Sequence, residues 1–517
     1  MRELVYHRQL LPTVERYADR AAFIDGDYRA TYGEHLERVG QLCTALRGLG
    51  VGRGDRFAVM ALNSHQFLEC YHAAFLGAGV VNPLNLRLAA RELEYILADS
   101  DTKVCVTDAF FAPLIAQVRE AAGIEHVVMI GAGDAPHDHA YEDLIGAAAP
   151  VIPDEPEEED PVVLMYTGGT TGLPKGVLLD HRAEMLNAYH VLQTWSFTPE
   201  DVFLHQTPMF HAASMGGILG MPAIGAASVF LPLFDPGQVL SLVEQHGVTT
   251  TVMVPTMIGM MLAHPEFAPE RLRTLRTLTY GASPMPADLL DRLLALFPDL
   301  DIFQGYGMTE ASAVLTALLP EDHRAGGDRL RSAGRPVRGV VLSIQDPDGG
   351  MLAKGETGEV CARAGNFMRE YWNKPEATAE VFRGDWYHTG DAGYLDDEGF
   401  LYLVDRVKDM IVTGGENVYS VEVENAISSH PAVAQVAVIG VPSEKWGEAV
   451  HAIVVPLPEA EVTEAEIIAH ARESIAGYKV PKSVEFRTEP LPLSGAMKVL
   501  KRELRAPYWE GRDRAVN

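Results

Sequence analysis

The chain has 517 residues, 47% of them hydrophobic and 22% charged, and its 42 Lys and Arg against 71 Asp and Glu give a formal charge of −29. That length exceeds one hydrophobic core and implies about three domains or subdomains of ordinary globular composition. The acidic excess excludes a nucleic-acid backbone or an anionic membrane surface as the general partner, and an anionic small molecule would need a local cationic site.

The first residues, RELVYHRQLLPTVERYADR, are charged throughout and do not read as a signal peptide. Up to residue 150 helix and strand patterns alternate. Thr31-Tyr-Gly-Glu34 is a capping-box signature for a helix running towards Gly48. RFAVMAL (56–62), KVCVTD (103–108) and HVVMIG (126–131) read as strands, and QFLECYHAAFLG (66–77) and RELEYILADS (91–100) as helices. This alternation predicts an α/β architecture with largely parallel sheets. Cys43, Cys70, Cys105 and Cys361 show no CxxC and no metal spacing, and read as reduced core residues of a cytoplasmic protein.

DEPEEED (154–160) reads as a solvated acidic linker. An apolar strand, PVVLMY, follows, and then the loop of MYTGGTTGLPKGVLL (165–179). Its glycines and threonines disfavour a helix or a ladder, but they can turn backbone N–H groups and hydroxyls inward to hold phosphate oxygens. Lys175 adds a cation. The spacing is not G-x-x-x-x-G-K-[ST], and a strand rather than a helix follows, so this is a phosphate loop of another kind.

From Val202 to Phe234 there is no Asp, Glu, Lys or Arg. Pro208, Pro222 and Pro232, with Gly216, Gly217, Gly220 and Gly225, argue against a membrane helix and for a buried segment lining an apolar cavity. Beyond Arg406 the patterns run strand, helix, strand, strand, helix, strand, a compact α+β unit of about 110 residues. The expected domains are 1–405 and 406–517.

In this order the chain resembles the adenylate-forming superfamily, which includes acyl-CoA synthetases, peptide-synthetase adenylation domains and firefly-type luciferases. TGGTTGLPKG resembles its signature loop, YGASPMP (280–286) its adenine loop and QGYGMTE (304–310) the motif joining adenine stacking to the metal. YHTGD (387–391) and DRVKDMIVTGGENVY (405–419) resemble its ribose and hinge motifs. The resemblance implies a large α/β N-terminal domain of stacked sheets and helices and a small mobile α+β C-terminal domain.

It further implies that Thr167, Gly168, Gly169, Thr170, Thr171, Gly172 and Lys175 hold the phosphates of ATP. Gly281, Ala282, Ser283, Gln304, Gly305, Tyr306, Gly307, Met308 and Thr309 would surround the adenine, for which Tyr306 offers a flat face between glycines. Asp391 and Arg406 would bind the ribose, and Glu310 is a hard oxygen ligand suited to Mg²⁺. In PMFH (208–211), His211 is the expected gate between the carboxylate site and the thiol tunnel, with Ala212, Met215 and Gly216 along the acyl pocket. No cation nearby pairs a second carboxylate, so a nonpolar monocarboxylic acid is expected and a malonate-type diacid is not. Lys408 matches the hinge, and Gly414, Gly415, Trp446 and Lys479 the coenzyme A side.

The reaction so implied has two halves: the acid and ATP give an acyl-adenylate, and the thiol of coenzyme A then displaces AMP. The first half depends on a C-terminal lysine. LPLSGAMK (491–498) lies on the family's PxxxTGK pattern without a gap, giving that catalytic role to Lys498, leaving Lys501 as scaffold and putting Met497 where glycine is usual. Gly168 stands where many relatives carry serine. Both departures touch the ATP-using half, so adenylation is expected to be impaired. One alternative is a non-adenylating ligase that takes its adenylate from a separate adenylating enzyme; another is a non-catalytic nucleotide or acyl-adenylate binder, against which the hinge argues. A homo-oligomer is the expected assembly.

Overall fold

The computed structural model describes residues 3–167, 173–283, 285–406, 410–413, 416–443, 445–458, 460–494 and 499–510, with backbone alone at 405, 406, 416 and 417. Two large sheets dominate. An eight-stranded sheet runs Glu370–Tyr371, Lys175–Asp180, Pro161–Thr167, Val80–Pro83, Arg56–Met60, Val104–Asp108, His126–Ile130, His139–Ala140. Its centre is parallel, as the β-branched runs imply, and Pro161–Thr167 and Lys175–Asp180 form an antiparallel hairpin at one side.

The second sheet has nine strands, ordered Arg335–Pro336, Thr316–Leu318, Asp301–Tyr306, Thr277–Gly281, Thr250–Met253, Val202–His205, Ala227–Phe230, Ala21–Asp25, Tyr28–Thr31. One apolar core, holding Phe57, Phe67, Tyr71, Met209 and Met215, joins helices and strands from both halves of residues 1–372. A five-stranded sheet over 341–406 follows, and residues 411–486 build another around the long antiparallel pair Val433–Ser443 and Gly447–Pro456. Helices Ser420–Ser428 and Glu464–Ser474 and the parallel strand Ser483–Phe486 complete the expected order, to which the structure adds a short hairpin strand, Glu416–Val418, and a helix, Lys501–Arg505.

Local signals read correctly where they were self-contained. Thr31 Oγ1 accepts the Glu34 N–H, and Glu34 accepts the Thr31 N–H, closing the capping box of helix Tyr32–Gly48. The uncharged stretch breaks, as its glycines and prolines imply, into strand, 3₁₀ turn, π-turn, short helix and strand. Among the described residues no helix is long and apolar enough to cross a membrane.

One expectation fails. DEPEEED is not a solvated linker but a clamp: Glu155 pairs with Arg8, Asp160 with Arg53, and Glu158 with Arg182 while accepting the N–H groups of Glu3 and Leu4. Its arginine partners come from distant segments, so composition alone misreads it.

Glu184, on helix His181–Trp195, is wholly buried, and neither carboxyl oxygen has a hydrogen-bond partner among the described residues. Burial, and secondarily Asp180, pushes its pKa well above the usual range. The unfolded chain ionises this group near about 4.3. Above that pH the unfolded state sheds a proton that the folded state keeps, so stability falls as pH rises. Glu184→Met is therefore expected to stabilise the protein by about 1–3 kcal/mol at pH 8 and by less at pH 5. Thermal midpoints of both proteins at both pH values check this, and an equal shift at the two contradicts it.

Candidate active site

The site grows from strand ends. Thr167 faces Lys175 across the hairpin, and its Oγ1 donates to the Lys175 carbonyl at 3.5 Å, so the ladder pinches the base of the phosphate loop. Gly168, Gly169, Thr170, Thr171 and Gly172 lie outside the described residues. Lys175 Nζ stands 4.8 Å from the ring centroid of Tyr371, on a strand paired to Lys175–Asp180. The Tyr371 hydroxyl donates to Glu310 Oε1 at 2.8 Å. Lys175 and Glu310 are thus brought to one tyrosine, although 135 residues separate them in sequence.

The 304–314 segment is held in strained geometry. Gly281 and Gly305 pair on parallel strands, and a Cβ on Gly281 would lie 2.3 Å from the Gly305 carbonyl oxygen. Gly307 is more restricted still, since its Cβ would meet the Ala313 oxygen at 1.8 Å. Ala282, Ser312 and Ala313 adopt φ of +66°, +54° and +129°, a region that side chains disfavour. Asn366 holds this strain: its side-chain Nδ2 donates to the carbonyls of Ala311 and Val314, and its backbone carbonyl accepts the Ser312 hydroxyl. Gln304 Oε1 accepts from the Tyr280 hydroxyl, and Ser283, Met308 and Thr309 line the same two loops, half-buried.

Tyr306 donates its hydroxyl to Asp391 Oδ2 at 2.6 Å, tying the adenine motif to the ribose motif. Asp391 in turn pairs in register with Arg406, whose side chain lies outside the described residues. Sequence reasoning missed Glu359. Its Oε1 accepts the Gly390 N–H at 3.1 Å and its Oε2 pairs with His388 Nδ1 at 2.8 Å, which fixes the turn that presents Asp391. Cys361 Sγ also approaches His388 Nδ1, so these three residues form a group able to hold a metal ion that sequence spacing did not show; the other three cysteines are buried and free too. Glu359→Gln removes a charged hydrogen bond of about 1.5 kcal/mol. It is expected to lower kcat/KM for ATP about tenfold with the KM for the acid unchanged, as steady-state kinetics on each substrate would show.

His211 closes the 208–211 loop. Its Nδ1 accepts the Ala213 N–H at 3.2 Å, which places the proton of the neutral ring on Nε2. Asn63, also missed, staples the loop: its Oδ1 accepts the Met209 N–H and its Nδ2 donates to the Thr207 carbonyl. Ala212 and Met215 are buried, and a Cβ on Gly216 would come 3.1 Å from Val191. Ala212 and Met215 thus pack into the main core, and Gly216 against helix residue Val191.

In the C-terminal unit, Lys501 bonds Ser420 Oγ at 2.6 Å and Glu424 at 2.7 Å. Lys479 likewise pairs with Glu422, and Trp446 is exposed at a turn. Lys408, Gly414, Gly415, Met497 and Lys498 lie outside the described residues. The base of the Lys498 loop is described: Leu493 bridges Val499, and Arg87 Nη1 donates to the Leu493 carbonyl at 2.8 Å. That contact sets the loop base against the N-terminal unit.

The loop base with its lysine, the Glu310 carboxylate, the Tyr306 ring and Asp391 make a set that suits an enzyme using a nucleoside triphosphate. Glu310 fits a magnesium ion chemically, as a hard oxygen donor that shares Tyr371 with Lys175. Residues 11–372 match the family described as AMP-binding enzyme, and residues 422–498 its C-terminal domain. A feruloyl-CoA synthase of Amycolatopsis sp is 40% identical over 486 residues, covering 93% of this chain and 95% of its own. A long-chain-fatty-acid–CoA ligase of Mycobacterium tuberculosis is 38% identical over 505 residues, 96% of each chain. The structure of ATP-bound MatB from Rhodopseudomonas palustris superposes with a TM-score of 0.88 at 30% identity, covering 98% and 99% of the two chains. The chain belongs to the AMP-binding enzyme family and is an AMP-forming acid–thiol ligase, an acyl-CoA synthetase that works through an acyl-adenylate with ATP, Mg²⁺ and coenzyme A.

Proposed function

We propose that the chain activates a hydrophobic monocarboxylic acid and that Met497 makes adenylation the slower half of its reaction. The observation that supports the site assignment best is the contact chain Lys175–Tyr371–Glu310, joined through the 306–310 segment to Tyr306–Asp391. Along it the phosphates, metal, adenine and ribose of one ATP molecule find their groups in order. Residues 1–405 then form the ATP- and acid-binding domain, and residues 406–517 the domain that turns about Lys408.

In the first half, Thr167, Lys175 and the loop between them hold the phosphates, while Asp391 and Arg406 fix the ribose. Bound Mg²⁺, held by Glu310, supplies charge neutralisation at the phosphates. Lys498 enters from the C-terminal domain and stabilises the negative charge that grows as pyrophosphate leaves. No protein nucleophile is required, so positioning and charge carry the chemistry. In the second half, His211 moves aside for the thiol, and Trp446 and Lys479 lie on the coenzyme A side. A hydrophobic acid suits the apolar run that carries Ala212, Met215 and Gly216, in which residues 202–234 include no Lys or Arg for a second carboxylate. The acids for which the two relatives are named, ferulate and long-chain fatty acids, fit this class.

A second reading, thioesterification of an adenylate made by a separate enzyme, is favoured by Met497 alone. Acyl-CoA and AMP formation from ATP, coenzyme A and a panel of aliphatic and aromatic acids tests the proposal. Stoichiometric AMP with at least one hydrophobic acid is expected, and activity confined to diacids would contradict it.

A further inference from the structure

Two strands, Gly358–Arg363 and Trp386–Leu395, meet beneath the ribose motif, and their pairing slips there. Glu359 sits opposite Ala392 and Cys361 opposite His388, so Val360 alone faces Thr389, Gly390 and Asp391. This bulge carries Asp391 outwards, with Gly390 at φ +72°. Thr389 Oγ1 closes it, donating to the Val360 carbonyl and accepting the Asp391 N–H.

Side chains alternate along Gly358–Arg363. Val360 and Ala362 enter cores on one face, so Glu359 and Cys361 share the other, where His388 stands. Three different donor atoms meet there. Cys361 Sγ lies 3.4 Å from His388 Nδ1, Glu359 Oε2 lies 2.8 Å from it, and all three are within 4.8 Å of one another. Among the described residues no other three His, Cys, Asp or Glu side chains converge in this way.

We infer that Glu359, Cys361 and His388 bind a thiophilic divalent cation of the zinc type. Tetrahedral zinc takes thiolate at about 2.3 Å and imidazole or carboxylate at about 2.0–2.2 Å, which sets ligand atoms about 3.3–3.6 Å apart. Sγ and Nδ1 already stand at that spacing. Oε2 reaches it by swinging about 0.5 Å off Nδ1 towards Sγ. Cys361 and His388 are buried, but the Glu359 side chain is 24% exposed, which gives the carboxylate room to swing and the ion a way in. Thiolate and carboxylate together balance the ion's two charges. Binding displaces the Cys361 thiol proton to solvent, and the imidazole proton moves from Nδ1 to Nε2. Magnesium prefers oxygen ligands and does not suit this set.

The ion acts on the turn above it. Glu359 Oε1 accepts the Gly390 N–H, so a carboxylate drawn to the metal loosens the turn that presents Asp391. Zinc therefore inhibits the use of ATP. The site stands on geometry alone, whereas this effect rests on the ribose role proposed for Asp391.

The test adds cobalt(II) to the chelator-treated full chain and records the thiolate-to-cobalt charge-transfer band, with zinc then displacing cobalt. Parent, Cys361→Ser, His388→Gln and Cys105→Ser are compared. A band in the parent and Cys105→Ser, lost in Cys361→Ser or weakened in affinity by at least about tenfold in His388→Gln, supports the site. Thermal midpoints without metal show which variants fold, and either ligand variant suffices. No band in the parent, or one that the folded ligand variants keep unchanged, overturns the site. Parent loaded with one equivalent of zinc and assayed in excess magnesium is expected to lose at least about threefold in kcat/KM for ATP, with Cys361→Ser unaffected. A band with unchanged kcat/KM overturns the inhibition. Failure of the proposed function looks different: no acid would give acyl-CoA in metal-free or zinc-loaded protein, while the cobalt spectrum would be as expected.

Discussion

Lys498→Ala lowers pyrophosphate release from acid and ATP by about 10²–10³-fold and leaves thioester formation from a supplied acyl-adenylate within about threefold. The expectation follows from where charge develops. In the first half the leaving pyrophosphate gathers negative charge, and a preorganised cation in a site shielded from water stabilises it far better than solvent does. In the second half the adenylate already exists, and the thiol displaces AMP without that lysine. Lys501→Ala is the matched control. Its Nζ bonds Ser420 and Glu424 inside the C-terminal unit, so its loss should lower stability and leave the ratio of the two half-reactions unchanged. Single-turnover measurement of each half separates the two lysines, and an equal loss in both halves for Lys498→Ala would refute its assignment.

Met497→Gly raises the rate of adenylation by about 10- to 100-fold with no change in the thiol-using half. Glycine before a reactive side chain permits left-handed backbone or close approach, both of which a methionine resists at a cost of about 1 kcal/mol or more. A displacement of about 1 Å at the reacting centre costs on the order of a hundredfold. The ends of this loop are fixed, with Leu493 bridged to Val499, the Leu500 N–H donating to the Pro492 carbonyl and Arg87 holding Leu493. A short loop with pinned ends has few ways to absorb an added side chain. Pyrophosphate exchange in both proteins measures the effect, and equal rates would remove Met497 from the account of the slow step.

The motifs were legible because each packs its chemistry into a few adjacent residues. A Gly/Thr loop flanked by a strand and a lysine, or an aromatic between two glycines, declares its backbone demands locally. Gly307 shows why: a Cβ there would overlap the Ala313 oxygen, so only glycine fits. The fold class was legible for a similar reason, since alternating helix and strand periods fix a parallel α/β sheet before any contact is known.

Residues that act through distant partners left no such trace. Glu359 supports Asp391 from another strand, Asn366 braces Ser312 and Ala313, and Asn63 fastens the His211 loop from more than 140 residues away. Each is an ordinary polar residue until the chain folds. The same blindness misread DEPEEED, whose acidic run looks solvated until Arg8, Arg53 and Arg182 arrive. It also hid Glu184, which the helix period places inside the core without providing a partner.

The most direct test of a two-step ligase slowed at its first step is a single preparation assayed two ways with one hydrophobic acid. Acyl-CoA formation is timed from acid plus ATP and, separately, from the synthetic acyl-adenylate. Formation by both routes, with the adenylate route at least about tenfold faster, is the expected result. No acyl-CoA by either route would contradict the ligase assignment, and equal rates would contradict the slow adenylation assigned to Met497.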